Sequence, residues 1–234
     1  MLSDSTSIFR AYGISITVTV VGTLCNLAIT TLYAYPLSRK DLPGRNIFAF
    51  ILFFTMLFSG GLVPSYIMWT RTFHIQNTLL AMLIPNMLMS AFNVIMMRTY
   101  INSNIPDAVI EAARIDGANE FRILYSVVLP MATPILATLS LLVGLAYWND
   151  WANGLYYIND AKMYSVQVLL MNIQRNLDAL RQNAQNGGNV TTANLPSTSV
   201  RMAITVMGIL PIMVIYPFLQ RYFVKGIAIG AVKG

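Results

Sequence analysis

The chain has 234 residues, of which 56% are hydrophobic and only 10% are charged. Its mean hydropathy is +0.60, and a soluble globular domain carries about 25% charged residues, so the composition favours a lipid environment. The net charge of +6 does not indicate nucleic acid, because the basic residues flank the apolar segments singly, as topology determinants do. The lone Cys25 excludes a disulfide framework and a cysteine metal site within this chain.

The charged residues leave five long uncharged windows of 19 to 28 residues each. Because a spanning helix needs roughly 20 apolar residues, the sequence predicts an all-α fold, a polytopic transmembrane helix bundle that forms a single domain over residues 1–234. The predicted spanning helices cover about 14–36, 47–69, 78–100, 122–147 and 200–222.

The distribution of basic residues predicts an orientation for this bundle. If the polar segment 111–122 is cytoplasmic, nine basic residues fall on that side and six on the other, as the positive-inside rule favours. The C-terminal tail at 223–234 is then also cytoplasmic, and the segment 148–200 lies outside. The N-terminus would start outside although residues 1–9 carry no secretory signal, so we expect one further helix upstream.

The predicted external segment opens with the aromatic cluster Trp148-Asn-Asp-Trp151. Aromatic residues at a helix end usually anchor at the membrane interface, whereas stacked rings beside amides also suit a sugar, and both interpretations stay open. The pattern at 163–174 favours a short, partly buried helix. Residues 175–196 are rich in Asn, Gln, Gly and Thr, a composition that predicts a solvated loop.

A polar, charged stretch separates the third and fourth predicted spans. Pro106 suits the first turn of a helix that we expect to end near residue 115, and Glu111 and Arg114 are spaced to pair along its surface. Gly117 then permits the positive φ that ends a helix, and a second short helix follows. The stretch is predicted to form a rigid helix–turn–helix knob suited to a groove on a partner; an ordinary amphipathic helix at the membrane surface is the alternative.

The same stretch carries a family resemblance. Glu111-Ala112-Ala113, Gly117 and Val127-Val128-Leu129-Pro130 resemble the signature of the inner-membrane permease subunits of binding-protein-dependent ATP-binding cassette importers, with Val127 where the signature has Ile. Asp116, Ala118 and Pro134 match the carbohydrate branch of that family.

Both the C-terminus and the external aromatic cluster point to the same branch. The tail Gln220–Gly234 is similar to that of maltose-type permeases of the second-subunit kind. Residues 71–102 and 148–151 resemble a subgroup that imports complex oligosaccharides in Gram-positive bacteria. That family normally has six spanning helices, so the resemblance implies one more helix before the first predicted span.

The resemblance implies a mechanism in which the cytoplasmic knob, here about residues 105–121, is a coupling helix seated in a cleft of an ATP-hydrolysing subunit. Carried over, the residues that contact this subunit are Glu111, Ala112, Ala113 and Gly117, with Asp116 supporting the turn. The tail at 223–234 resembles tails that insert between two nucleotide-binding subunits. The expected location is a bacterial cell membrane, with a multi-pass chain.

The resemblance also implies the partners. They are nucleotide-binding ATPase subunits, a second permease subunit in a heterodimer, and an extracellular solute-binding lipoprotein. No Gly-rich phosphate loop ending in Lys and Ser or Thr occurs in this chain, so no cofactor is expected here, and ATP and Mg²⁺ belong to the partner subunit.

Two prolines in the fourth predicted span, Pro130 and Pro134, remove backbone donors and should kink that helix. The kink can be a static bend or a moving hinge, and the sequence does not choose between them.

Candidates for the substrate path are Asn93, Trp148, Asn149 and Trp151. Polar groups inside spanning helices commonly hydrogen-bond between helices, and aromatic residues at the outer mouth can anchor at the interface or touch a docked binding protein. Each candidate therefore has a structural alternative.

The function predicted from these features is the transmembrane subunit of an ATP-driven sugar importer. A permease for a non-sugar solute is the alternative. An intramembrane enzyme ranks behind both, because the five predicted spans contain no acidic residue and His74, the only histidine, cannot form a proton relay or a zinc site alone. No catalytic residue and no metal site are predicted.

Overall fold

The structure is a computed structural model that describes residues 5–185, 202–203, 205–209 and 211–213. Within these residues the secondary structure is helical and contains no strand. Two π-helical turns, Met68–Thr72 and Leu124–Val128, and a 3₁₀ turn at Ala161–Met163 interrupt the α-helices. The α-helices are α1 (Ser5–Ser38), α2 (Arg45–Leu57), α3 (Leu62–Ile67), α4 (Leu80–Leu83), α5 (Ala91–Asn104), α6 (Asp107–Ile115), α7 (Glu120–Ile123), α8 (Leu129–Met131), α9 (Thr133–Trp148), α10 (Ala152–Tyr157) and α11 (Val166–Gln185).

Only α1 is, by itself, long and apolar enough to cross a membrane among the described helices. Two further stretches qualify if each bent pair counts as one span: Arg45–Leu57 with Leu62–Thr72, and Glu120–Met131 with Thr133–Tyr157. The structure therefore supports an all-α fold with one to three spans by length and composition. The predicted number of five stays a prediction, and most of the window 200–222 lies outside the described residues.

The predicted span at 78–100 is wrong as one continuous helix. The chain forms the short α4, leaves helical geometry, and resumes as α5. Pro85 has no N–H to donate to a helix, and Asn86 adopts a left-handed φ of 60° that a helix does not contain. The absence of charged residues did not indicate this break, because it gives no information about backbone conformation.

Two asparagine side chains satisfy the backbone that this break exposes. Asn26 Nδ2 donates to the carbonyl of Met87 at 2.7 Å, and Asn153 Nδ2 donates to the carbonyl of Pro85 at 3.0 Å. Both asparagines are buried. Irregular backbone at membrane depth is tolerated only where protein groups or a water-filled cavity supply the missing hydrogen bonds, so these side chains make the break possible.

The helix predicted at 163–174 extends further than expected. The chain is helical from Val166 to Gln185, so the predicted helix at 163–174 stops too early and the predicted loop at 175–196 begins too early. Val166, Leu170 and Leu177 are buried together in one cluster and lie at the spacing of one helix face. The polar composition after residue 174 concealed this apolar stripe.

Backbone contacts divide the chain into two compact units. Among the described residues, unit A holds 20–65 and 86–144, and unit B holds 5–19, 66–85, 145–185 and the described positions between 202 and 213. The prediction of one domain over residues 1–234 is not tested by this division and stays a prediction.

Helices α6 and α7 pack against the core of unit A. Ile110 and Ile123 are 1% and 0% exposed and belong to a buried cluster with residues of α1, α5 and α9. Ala113 and Ala118 pack against the same cluster while half-buried. One apolar cluster therefore holds both short helices in place.

Side-chain hydrogen bonds to backbone groups connect the elements of unit B. Tyr12 Oη donates to the carbonyl of Met207 at 2.6 Å, and Trp148 Nε1 donates to the carbonyl of Gly208 at 3.0 Å. Ser15 Oγ accepts from the amide of Val166 at 2.9 Å. These bonds link α1, α9, α11 and the described residues after 202.

Close packing of α10 on α11 gives a test of this unit. A Cβ atom at Gly154 would meet Val168 Cγ2 closer than real Cβ atoms approach. We expect Gly154→Ala to cost about 1–3 kcal/mol by overpacking and to lower the thermal unfolding midpoint in detergent. Gly144→Ala is the matched control, since its Cβ would lie 3.5 Å from Thr23 Oγ1, an ordinary contact. Equal midpoints for the two variants would contradict the described packing.

Candidate functional site

The segment from α6 to α7 is a helix–turn–helix with defined caps. Helix α6 begins after Pro106 in an extended conformation, one residue later than the sequence pattern predicts. Gly117 has a φ of 80°; its amide donates to the carbonyl of Arg114, and the amide of Ala118 donates to that of Ala113, each at 3.0 Å. These two bonds form a Schellman motif, the reason for glycine at this turn.

The second helix of the segment has a side-chain cap. Asn119 is extended, and its Oδ1 accepts a hydrogen bond from the amide of Arg122 at 2.8 Å. A cap of this kind satisfies one of the free amides at a helix start. A short helix of four residues, Glu120–Ile123, then continues into the π-helical turn.

The predicted contact residues fall on two different faces. Glu111, Ala112, Asp116 and Gly117 are exposed, whereas Ala113 is half-buried against the core of unit A. The signature pair of alanines therefore has two roles in the fold. Ala113 lets α6 approach its own core, and Ala112 leaves a small, open surface outward.

Three large apolar side chains of the segment and of the π-helical turn after it are also exposed. Ile115, Phe121 and Tyr125 are 86%, 76% and 78% exposed. Sequence reasoning missed them, although a signal existed for Ile115. It follows the buried Ile110 by five positions, which on a helix of 3.6 residues per turn turns it away from the buried face.

Arg114 joins α6 to α7 through Glu120 and does not pair with Glu111 as predicted. Its Nε and Nη2 lie 2.8 and 2.7 Å from Glu120 Oε1, and Nη2 lies 2.9 Å from Asp41 Oδ2. The predicted pair between Glu111 and Arg114 is wrong, because the guanidinium turns instead toward these two carboxylates. Its hydrogen bonds to Glu120 and then Asp41 raise the pKa of Arg114.

The loop between α1 and α2 reaches the start of the segment as well. Lys40 Nζ lies 2.9 Å and Arg39 Nη1 lies 3.4 Å from the carboxylate of Asp107. The hydrogen bond from Lys40 lowers the pKa of Asp107. A backbone hydrogen bond within its own residue, followed by the bond from Arg114, lowers the pKa of Asp41. At neutral pH these carboxylates are therefore ionised and keep their pairs.

The two prolines lie at the break between α8 and α9. Pro134 cannot donate to the carbonyl of Pro130, which accepts from the backbone N–H at the end of α8 and from Thr133 Oγ1 at 2.7 Å. The carbonyl at the bend therefore keeps its hydrogen bonds. Whether the break also moves as a hinge stays a prediction.

The predicted substrate-path residues differ in burial and in the unit that holds them. Asn93 is 8% exposed in unit A, and Trp148 is 6% exposed in unit B. The Trp148 ring lies 6.3 Å from that of Tyr12 and, with its bond to Gly208 described above, packs as an interior group. Only Asn149 and Trp151 line the same cavity.

That cavity of about 390 Å³ lies within unit B and is lined by both amides and apolar groups. Asn149 Nδ2 donates to the carbonyl of Leu145 at 2.9 Å, and Trp151 is 47% exposed. Sequence reasoning missed Gln167 and Gln174, which α11 brings into the same lining because they lie seven residues, or two turns, apart. The lining residues are Asn149, Trp151, Gln167, Leu170, Met171, Gln174, Thr205, Gly208, Ile209 and Ile212.

Comparison with known proteins identifies the family. A family profile described as "Binding-protein-dependent transport system inner membrane component" matches residues 28–229. The chain belongs to this family. The match includes the whole helix–turn–helix, the two prolines and the residues that line the cavity of unit B.

Several curated relatives are transport permeases. The chain is 35% identical over 227 residues to the polygalacturonan/rhamnogalacturonan transport system permease protein YtcP of Bacillus subtilis, covering 97% of this chain and 78% of that protein. It is 30% identical to the trehalose/maltose transport system permease protein MalG of Thermococcus litoralis, covering 100% of this chain and 79% of that protein.

A solved structure is also similar. The crystal structure of a bacterial ABC transporter involved in the import of the acidic polysaccharide alginate contains a chain that matches with a TM-score of 0.79 and 33% identity. The match covers 95% of this chain and 77% of that chain. The fold is therefore shared along nearly the whole sequence.

The left-handed turn at Gly117 gives a test of the segment's geometry. Apart from its two chain neighbours, no described residue lies within 4 Å of a Cβ built there, so a substitution acts through the backbone. We expect Gly117→Val to destabilise the turn by about 1–2 kcal/mol and to speed amide hydrogen exchange across 112–123. Gly117→Asn is the control, because asparagine is enriched at positive φ, and we expect it to exchange near the wild-type rate. Identical exchange in both variants would contradict the described turn.

Proposed function

We propose that this chain is a transmembrane subunit of an ATP-driven importer that forms the path for a sugar or oligosaccharide delivered by an extracellular binding protein. The family match and the sugar-transport names of the relatives support this function. The chain would lie in a bacterial cell membrane as a multi-pass protein with its C-terminus cytoplasmic. A permease for a non-sugar solute is less well supported, since no comparison favours it.

The proposed assembly places ATP chemistry outside this chain. A separate nucleotide-binding subunit would bind ATP and Mg²⁺ and hydrolyse the nucleotide, while a second permease subunit would complete the path. The tail at 223–234, proposed to enter between nucleotide-binding subunits, lies outside the described residues. This division follows from the family, whose description is an inner membrane component of a transport system.

The observation that carries the proposed function is the exposed face of the helix–turn–helix. Glu111, Ala112 and Gly117 are small or acidic and exposed, and the exposed Ile115 adds an apolar side chain one helical turn after Glu111. Apolar side chains on a rigid element suit a cleft on a partner, because burying them removes apolar area from water. We propose that this face docks on the ATPase subunit and that Asp116 and Ala113 act by holding its shape.

Ala112 gives the sharpest test of docking. We expect Ala112→Trp to prevent close approach and to weaken binding of the ATPase subunit by at least about tenfold, the change that corresponds to roughly 1.4 kcal/mol. Co-purification of the ATPase subunit from membranes measures the binding, and the yield of inserted permease controls for folding. Ala112→Ser, which stays small, should bind normally. Normal binding by Ala112→Trp would exclude this face as the docking site.

For the sugar path we propose the cavity of unit B. An indole ring beside three carboxamides can stack on a sugar ring and hydrogen-bond its hydroxyls. Trp151 supplies the indole, and Asn149, Gln167 and Gln174 supply the carboxamides. All described lining side chains are uncharged, so the cavity offers no cationic partner to a uronate carboxylate and favours a neutral sugar unit. Trp148 would support this wall through its packing, and Asn93 would act elsewhere, inside unit A.

Trp151 gives the test of this cavity. We expect Trp151→Ala to lower uptake of radiolabelled raffinose or maltose at saturating binding protein by roughly two- to tenfold, in line with the energies of aromatic contacts. Trp69→Ala is the matched control, since Trp69 packs on Phe73 at 5.1 Å and does not line the cavity. Equal losses in both variants, or selective loss of trigalacturonate uptake alone, would contradict a neutral-sugar site here.

A further inference from the structure

The helix–turn–helix is attached to α1 by a network of charged and polar groups that the proposed docking face does not use. The network consists of Arg114, Glu120, Asp41 and Tyr35, with a second attachment at Asp107. We infer that Arg114 is a positioning residue that fixes the docking segment to the end of α1, so that the two move as one body. This inference rests on the proposed function.

The first step is the turn itself. Gly117 has a φ of 80° and no side chain that could pack at the turn, so the turn itself contributes only backbone bonds to the angle between α6 and α7. Arg114 bridges that angle from the last turn of α6 to Glu120 in the first turn of α7, through both Nε and Nη2. A planar guanidinium with two donors on one carboxylate is a stiffer connection than a lysine would give.

The second step leads from the turn to α1. The other oxygen of the same carboxylate, Glu120 Oε2, accepts a hydrogen bond from the hydroxyl of Tyr35. Tyr35 is 4% exposed and lies in the last turn of α1, so its ring is fixed by packing. One carboxylate therefore connects α6, α7 and α1. Charge-assisted bonds of this kind are about twice as strong as neutral ones.

The third step is a second attachment at the opposite end of α6. Asp107, the first residue of α6, binds Lys40 and Arg39 in the loop after α1, and Arg114, near the last residue, binds Asp41 in the same loop. Two attachments separated by the length of a helix resist rotation as well as translation. A single attachment would leave α6 free to pivot.

These bonds do not chiefly stabilise the fold. Exposed ion pairs each contribute little to stability, and Ile110 and Ile123 already hold the segment through the apolar core. Apolar contacts are non-directional, however, and let a short helix slide or roll. Directional bonds to α1 prevent this sliding and rolling. When the docking face is displaced, the end of α1 therefore moves with it.

The test measures motion in the complete transporter, reconstituted in nanodiscs with its ATPase subunits. Spin labels at Leu32 and Ala108, both exposed, report the distance between α1 and α6 by electron–electron double resonance. In the wild type we expect one narrow distance that is the same with and without ATP and vanadate. In Arg114→Gln we expect a broad distribution that changes with nucleotide, and about fivefold less raffinose or maltose imported per ATP hydrolysed.

Three further variants separate positioning from folding and from docking. Tyr35→Phe removes one hydroxyl without changing packing, and we expect it to broaden the distance in the same way and to add nothing to Arg114→Gln. Arg122→Gln is the matched control, because Arg122 is exposed and has no ion pair among the described residues, and should keep the narrow distance. Arg114→Lys, which keeps the charge, should restore part of the import per ATP.

The outcomes distinguish this inference from the proposed function. A narrow, unchanged distance in both Arg114→Gln and Tyr35→Phe would overturn the positioning role. Loss of ATPase-subunit binding in Arg114→Gln would overturn it too, since Arg114 would then belong to the docking face. Normal ATPase binding by Ala112→Trp would refute the docking proposal while leaving the measured distances as a separate result.

Discussion

Backbone groups inside a bilayer have no water to bind, so each break in a helix needs a partner from the protein. This constraint explains much of the described structure. The asparagine side chains at positions 26 and 153 bind the carbonyls at the break between α4 and α5, and the hydroxyl of Thr133 donates to the carbonyl of Pro130 between α8 and α9. These three polar side chains are thus committed to hydrogen bonds with the backbone.

Buried and exposed groups have different roles in the two units. In unit A, apolar residues seat the helix–turn–helix, and its charges lie on the outside, where they connect to the loop after α1. The basic residues Arg39 and Lys40 of that loop bind Asp107 of the segment. In unit B, the indole of Trp148 is used for packing, and the neighbouring Trp151 stays open to a cavity.

Within the signature motif the residues differ in physical role although they are adjacent in sequence. Ala113 faces the core and sets how closely α6 can approach it, Ala112 keeps the outer face open, and Gly117 supplies a left-handed turn. Arg114 lies between these faces and reaches two carboxylates at once. Within seven residues, this signature therefore provides both a face that packs on the core and a face that stays exposed.

The sequence by itself determined the helical class, the family and the position of the helix–turn–helix, because these depend on local features: uncharged windows, a proline at a helix start and a glycine at a helix end. It failed at 78–100, where the left-handed conformation of Asn86 breaks the helix. It also failed for α11, where the apolar stripe of Val166, Leu170 and Leu177 continues the helix through a polar segment. Only the tertiary structure decided that Arg114 binds Glu120 and Asp41 in place of Glu111, and that Trp151 and Gln174 share a cavity. These choices depend on which side chains meet across distant segments, and helical spacing along one element carries no information about them.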